Sequence, residues 1–266
     1  MIPSKKVDLQ QKMFWILASL GLLFGLVFNF LPMTPLWLDE AQSASIARED
    51  FSSLIDALRR DGHPPLYYFL LGFWSDLFGS SDSALRAFSG ILGGATIIMT
   101  WFIARIHLNE KASFLAASLI ASSPFSIRYA TEVRMYSLLI LLLLSAYFHF
   151  YKVSHKPNNK NRFFYSLSLS CMLFTHYWSI FFVFTIFLLL LIASKRTLGI
   201  EKKEVNSLAI WTAGACIPFF LWLPVFFEQL AHTGTPWAKA PRPTVCLLYT
   251  SPSPRDRGGS RMPSSA

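Results

Sequence analysis

From Met13 onward the chain returns eight times to apolar runs of the kind that a membrane selects. They fall at about 13–32, 65–79, 86–106, 112–128, 134–151, 163–178, 179–194 and 206–227. A helix needs about 20 mostly apolar residues to cross a hydrocarbon core. Within that core every backbone polar group must be satisfied internally, which leaves only helices or closed barrels. Continuous apolar runs, without the two-residue alternation of a barrel strand, select helices. Hydrophobic residues make up 53% of the 266 residues, more than a soluble domain carries. The expected fold class is an all-α polytopic membrane protein.

The run 65–79, "PLYYFLLGFWSDLFG", is the shortest and carries Asp76. Whether it spans decides the side on which everything downstream lies, and loop charge tests this. If it lies along the interface, the basic loops 104–111, 152–162 and 194–204 share a side with Lys5 and Lys6, as the bias of Lys and Arg toward the cytoplasm requires. If it spans, all three violate that bias. The reading is therefore seven spans, a cytoplasmic N-terminus, and an interfacial helix over 65–79, with Tyr67, Tyr68 and Trp74 at headgroup level. The formal charge of +9 then belongs to cytoplasmic loops, and no nucleic-acid partner is expected. Residues 33–85, the bend 128–136, the turn 175–178 and the segment after Phe227 all face the non-cytoplasmic side.

The two ends need separate treatment. The first apolar run is longer than a signal-peptide core and reads as an uncleaved span. The last 21 residues, 246–266, are rich in Ser, Pro and Arg without periodicity; back-translated, they resemble a sequencing adapter, so they are set apart from the fold. The expected organisation is a membrane module over 1–245, cut open near Val245, and a disordered tail. Cys171 and Cys216 lie in apolar runs without metal or redox spacing and read as small hydrophobes.

Polar residues at the non-cytoplasmic boundary are the candidates for chemistry. Asp39 and Glu40, in "PLWLDEAQ", follow the first span; acids there also suit a helix start, but burying carboxylates at a membrane boundary without a partner is costly. His63 precedes Pro64 and Pro65 in "DGHPPLYY", where prolines suit a first helical turn. Glu132, Arg134 and Tyr136 crowd a bend between two spans, and a re-entrant turn could aim Glu132 and Arg134 into one cavity. His176 closes the span ending in "THYW", and Trp237 sits in "GTPWAKAPR" as a binding residue or an interfacial anchor. No Gly-rich phosphate loop or internal repeat is present in the sequence.

The ordered set "WLDEA", "HPPLYY", "ALRAFSGILGG", "SPFSIRYATEVRMYSLL", "THY" and "WLPVFFEQL" resembles the integral-membrane glycosyltransferases of the GT-C fold. The branch resembled is the bacterial one related to protein O-mannosyltransferases and lipid A aminoarabinose transferases (glycosyltransferase family 39-like), over about residues 10–243. The resemblance implies a multi-pass protein of the cell (plasma) membrane whose first external loop carries interfacial helices. It implies transfer of mannose or a similar sugar from a polyprenyl-phosphate carrier to a hydroxyl or amine of a glycan, lipid or protein, usually with inversion. Asp39 matches the first-loop acid and takes the role of general base, and Glu40 orients the acceptor or assists a cation. Glu132 corresponds to the second-loop acid, and His63 stands where relatives place a basic residue near the donor phosphate. Arg134 becomes a phosphate contact, its planar fork suiting that partner, with Tyr136, His176 and Trp237 as further substrate contacts. Asp39 and Glu132 are then the residues for Mg²⁺ or Mn²⁺. The rival reading is a non-catalytic flippase for lipid-linked sugar, which would carry paired repeats and charges at midplane.

Overall fold

The computed structural model describes residues 5–31, 34–192 and 199–231, with side chains from residue 11 onward. Among these residues there are only helices. In chain order they are α1 (Lys5–Phe28), α2 (Leu38–Ala47), α3 (Phe51–Asp61), α4 (Leu66–Phe78), α5 (Asp82–His107), α6 (Glu110–Ser122), α7 (Pro124–Thr131), α8 (Tyr136–His155), α9 (Asn159–Leu173), α10 (Ser179–Ile192), α11 (Lys202–Cys216) and, after a 3₁₀ turn at Pro218–Trp222, α12 (Leu223–Ala231). The protein is an all-α polytopic membrane protein.

Local sequence explains the boundaries. Ser81 and Asn109 cap α5 and α6 by accepting the N–H groups of Ala84 and Ala112, and Asn158 caps α9 through Asn161, satisfying donors that a first turn leaves free. The apolar run 112–128 does not form one helix. Pro124 has no N–H to continue α6, so the chain stops at Ser122 and restarts with Pro124 in the first turn of α7. Among the described residues four helical segments are long and apolar enough to cross a membrane: Gln11–Phe28, Asp82–His107, Tyr136–His155 and Lys202–Ala231. The other three expected spans correspond to the shorter helices α6, α9 and α10. At 13, 15 and 14 residues, each falls short of the ~30 Å of a hydrocarbon core at 1.5 Å per residue.

Small residues let the helices approach. Gly21 and Gly25, four apart on α1, face Ser118, Ala121 and Ser122 of α6, and a β-carbon at Gly25 would overlap the Ala121 backbone. Close approach through small residues is the usual basis of helix association in lipid.

The helices between α1 and α5 are packed down firmly. Leu54, Leu58 and Tyr68 join a core with Tyr165, Leu169 and Leu208, while Ala44, Tyr67 and Leu71 pack with Leu85, Val133 and Met135. This corrects the expectation for α4. Tyr67 and Tyr68 are 1% exposed, and the Trp74 ring donates to the Ala84 carbonyl at 2.7 Å, so these aromatics bind α4 to the bundle instead of meeting headgroups. Cys171 and Cys216 are free and half-buried. Trp237 and the tail 246–266 lie outside the described residues.

Candidate active site

Asp39 and Glu40 open α2 but point different ways, because successive residues on a helix are rotated by about 100°. Glu40 turns inward and is 1% exposed. Its carboxylate accepts the Arg86 guanidinium at 2.8 and 3.3 Å, the Trp37 N–H at 3.0 Å and the Val133 N–H at 2.9 Å. Arg86 also donates to the carbonyls of Thr34 and Pro35. Glu40 thereby joins α2, α5 and the bend before α8, and its oxygens are occupied. Asp39 is half-exposed. Its carbonyl accepts from Ser43, but its carboxylate has no hydrogen-bond or salt-bridge partner among the described residues.

Arg134 comes up beside it. The guanidinium reaches the Asp39 carbonyl at 3.5 Å and the Ser43 hydroxyl at 3.4 Å, and lies 6.0 Å from the centre of the Tyr136 ring. It is 8% exposed, yet among the described residues no carboxylate lies within ion-pair distance. Burial works against its charge, but Tyr68, Tyr136 and Asp39 outweigh that and hold its pKa above the ordinary value. Glu132 does not share the cavity with Arg134; it turns back to Arg128 at 2.9 Å. The re-entrant bend separates the two residues where the sequence reading allowed them to converge.

His63 is set by a residue the sequence reading passed over. Gly62 adopts φ 82° at the end of α3, a left-handed conformation that glycine takes at little cost, and this folds His63 back onto Asp61. Asp61, its side chain 4% exposed, accepts from His63 Nδ1 at 2.9 Å, the Tyr68 hydroxyl at 2.6 Å and Gln42 at 2.6 Å. Burial pushes the Asp61 carboxyl up, but the hydrogen bond and charge of His63, with Tyr68 and Arg134, hold it below the usual range. Gln229 of α12 donates to the carbonyls of Leu58 and His63 at 2.5 and 3.2 Å and accepts from the Tyr177 hydroxyl, clamping the His63 turn to the turn after α9.

On that second turn His176 stands with its ring centre 6.1 Å from those of both His63 and Tyr136. Its Nδ1 accepts the Trp178 N–H, so the neutral ring carries its proton on Nε2. His63 meets Asp61 through Nδ1. Burial, His63 and Arg134 together lower the His176 pKa, keeping this ring a neutral donor.

Asp39, His63, Arg134, Tyr136 and His176 thus converge, while Glu40 and Glu132 are tied up by arginines. Chemically the arrangement offers an unengaged carboxylate beside a buried cation lacking a carboxylate partner, flanked by imidazoles that can donate or accept. Asp39 and Glu132 suit a resident divalent ion poorly. Each sits beside a guanidinium, and the described residues contain no group of three or more His, Cys, Asp or Glu side chains that could hold a metal. Of the residues missed, Asp61 carried a faint signal in "DGH", and Gln229 carried none.

A protein of Aquifex aeolicus (strain VF5), described only as uncharacterized, is 25% identical over 134 residues, a match covering 48% of this chain. The chain spans only about a quarter, 27%, of that relative's length. No solved structure matches. The family model described as dolichyl-phosphate-mannose-protein mannosyltransferase matches residues 62–222, which run from the turn carrying His63 through the bend of Arg134 to the end of the 3₁₀ turn. The chain belongs to the dolichyl-phosphate-mannose-protein mannosyltransferase family.

Proposed function

We propose that the protein transfers a sugar, mannose or one like it, from a polyprenyl-phosphate carrier to an acceptor hydroxyl or amine on the non-cytoplasmic face of the cell membrane. The observation that carries this reading is the half-exposed Asp39, its carboxylate without a hydrogen-bond partner among the described residues, next to the buried Arg134 guanidinium, which reaches the Asp39 carbonyl at 3.5 Å. Glycosyl transfer from a lipid phosphate needs both: a base for the acceptor proton and a fixed positive charge for the departing phosphate. Asp39 takes the proton as the acceptor oxygen or nitrogen bonds to the anomeric carbon. The bond from that carbon to the phosphate oxygen breaks, and its electron pair stays with the phosphate beside Arg134. One displacement inverts the anomeric centre.

The remaining residues take roles that fit their surroundings. His63, with Nδ1 held by Asp61, and His176 are the imidazoles nearest the donor phosphate, and the Tyr136 ring centre lies 6.0 Å from the Arg134 guanidinium and 6.1 Å from the His176 ring. Glu40 is a positioning residue: it fixes the first turn of α2, and with it the direction of Asp39. Glu132 holds Arg128 and stays out of the chemistry.

The test is sugar transfer in membranes supplied with labelled polyprenyl-phosphate mannose, wild type against Asp39→Asn at equal abundance. Loss of a general base lowers the rate by about 10²–10⁴-fold, and that loss is expected here. Transfer that survives Asp39→Asn undiminished sinks the assignment.

A further inference from the structure

Away from Asp39 lies a pair of adjoining cavities that the proposed chemistry does not use. One, of ≈ 240 Å³, has Asn29, Thr96, Thr100, Ser126, Tyr129 and Ser137 in its lining. The other, of ≈ 500 Å³, has Trp15, Leu22, Ile98, Trp101, Phe102 and Phe114. Ile97 lines both. On α1 and α6 the order is the same. Going up α1, the apolar cavity takes residues 15 to 26 and the polar one takes Asn29. On the oppositely directed α5 the two run side by side, the polar cavity from Gly93 to Thr100 and the apolar one from Gly94 to Phe102. On α6 the apolar cavity takes 110 to 117 and the polar one 120 and 121. By α1 and α6 the polar chamber reaches further toward the Asp39 end of the bundle, and the apolar one adjoins it along α5 and extends further the other way.

Asn29 gives the polar chamber its meaning. It is 2% exposed, and among the described residues its side chain makes no hydrogen bond. The fully enclosed polar side-chain atoms without a partner there belong to Arg162 and Ser179, so the Asn29 amide is open to the chamber it lines. Buried amides are normally paired, and one left unpaired in an apolar bundle is costly. Helix α5 passes close by on glycines: a β-carbon at Gly93 would lie 2.5 Å from Ala130 Cβ and 3.2 Å from Asn29 Nδ2, and one at Gly90 would lie 2.9 Å from the Asn29 backbone oxygen.

We infer that the two chambers together bind one neutral, hydroxyl-bearing lipid, its head on Asn29 and the hydroxyls of Ser126 and Tyr129, its tail between α1, α5 and α6. An amide and hydroxyls can donate to and accept from a sugar or glycerol head, and no charged side chain lines the polar chamber to favour a phosphate. The head-to-tail order matches that of a lipid in the leaflet on the Asp39 side. The Tyr129 ring lies 4.9 Å from Tyr136, so the lipid head flanks the site. Its use as the acceptor rests on the transferase reading above.

The test is equilibrium binding to the purified protein in phosphatidylcholine nanodiscs, with monoglucosyl diacylglycerol as probe and phosphatidic acid of the same chains as comparison. The wild type is expected to prefer the glucosyl lipid, and Asn29→Leu to weaken its binding about tenfold. Ser126→Ala, which removes one hydroxyl of the head-binding set, is expected to weaken it several-fold and decides the matter if Asn29→Leu unfolds. Equal binding by the variants, or preference for phosphatidic acid, overturns the inference. Because binding is read without sugar transfer, that failure leaves the Asp39 test untouched. Failure of transfer with binding intact removes only the acceptor role.

Discussion

At the scale of the residue, adjacent carboxylates have opposite fates. The pair Asp39–Glu40 was legible as a site feature from its place after the first span. Its division of labour was not, because what immobilises Glu40 is Arg86 and the Val133 N–H, far away in sequence. Asp61 was hidden for the same reason: a carboxylate two residues before a histidine means little until Gly62 turns one onto the other. His176 gives a prediction with a definite sign. The folded state keeps its pKa below the ordinary value of 6.5, so below that value the unfolded chain binds more protons and the fold loses stability as pH falls. The unfolding midpoint of the wild type is expected to drop as pH falls below the ordinary histidine value of 6.5, and His176→Gln to flatten that drop, as thermal unfolding in detergent across the range will show.

Among the elements, most helices could be read from apolar runs, and the errors share a cause. Periodicity records that residues are buried, but not whether lipid or protein buries them. Tyr67 and Tyr68 were assigned to headgroups because they resemble interfacial aromatics, yet they pack against Leu85 and Tyr165 in protein cores. The α1–α6 contact carried its own signal in the Gly21 and Gly25 spacing. Gly25→Ala is expected to push those two helices apart and to destabilise the bundle by about 1–3 kcal/mol or more, the range for overpacking a close contact. Unfolding in denaturing detergent against Gly94→Ala, where a β-carbon meets nothing within 4 Å, measures the difference.

For the whole molecule, class and family signature were available from sequence, because the membrane imposes the first and ordered motifs the second. The candidate site was legible as a set of boundary residues on one side, but its geometry was not. Orientation makes a separate prediction. In a variant lacking its native cysteines, Asp56→Cys on exposed α3 is expected to react with a membrane-impermeant maleimide added from outside. Lys160→Cys, at the start of α9, is expected to react only after permeabilisation. The reverse pattern would invert the protein and move Asp39 to the cytoplasm.

The Glu40 lock carries a consequence for how such a chain is made. Its three parts lie at residues 40, 86 and 133 and leave the ribosome in that order. Until the last has emerged, Glu40 lacks the Val133 N–H and Asp39 has no fixed direction. On the proposed reading, the base is among the first groups synthesised and among the last to be aimed, so a growing chain carries no organised reaction centre while its helices are still entering the bilayer.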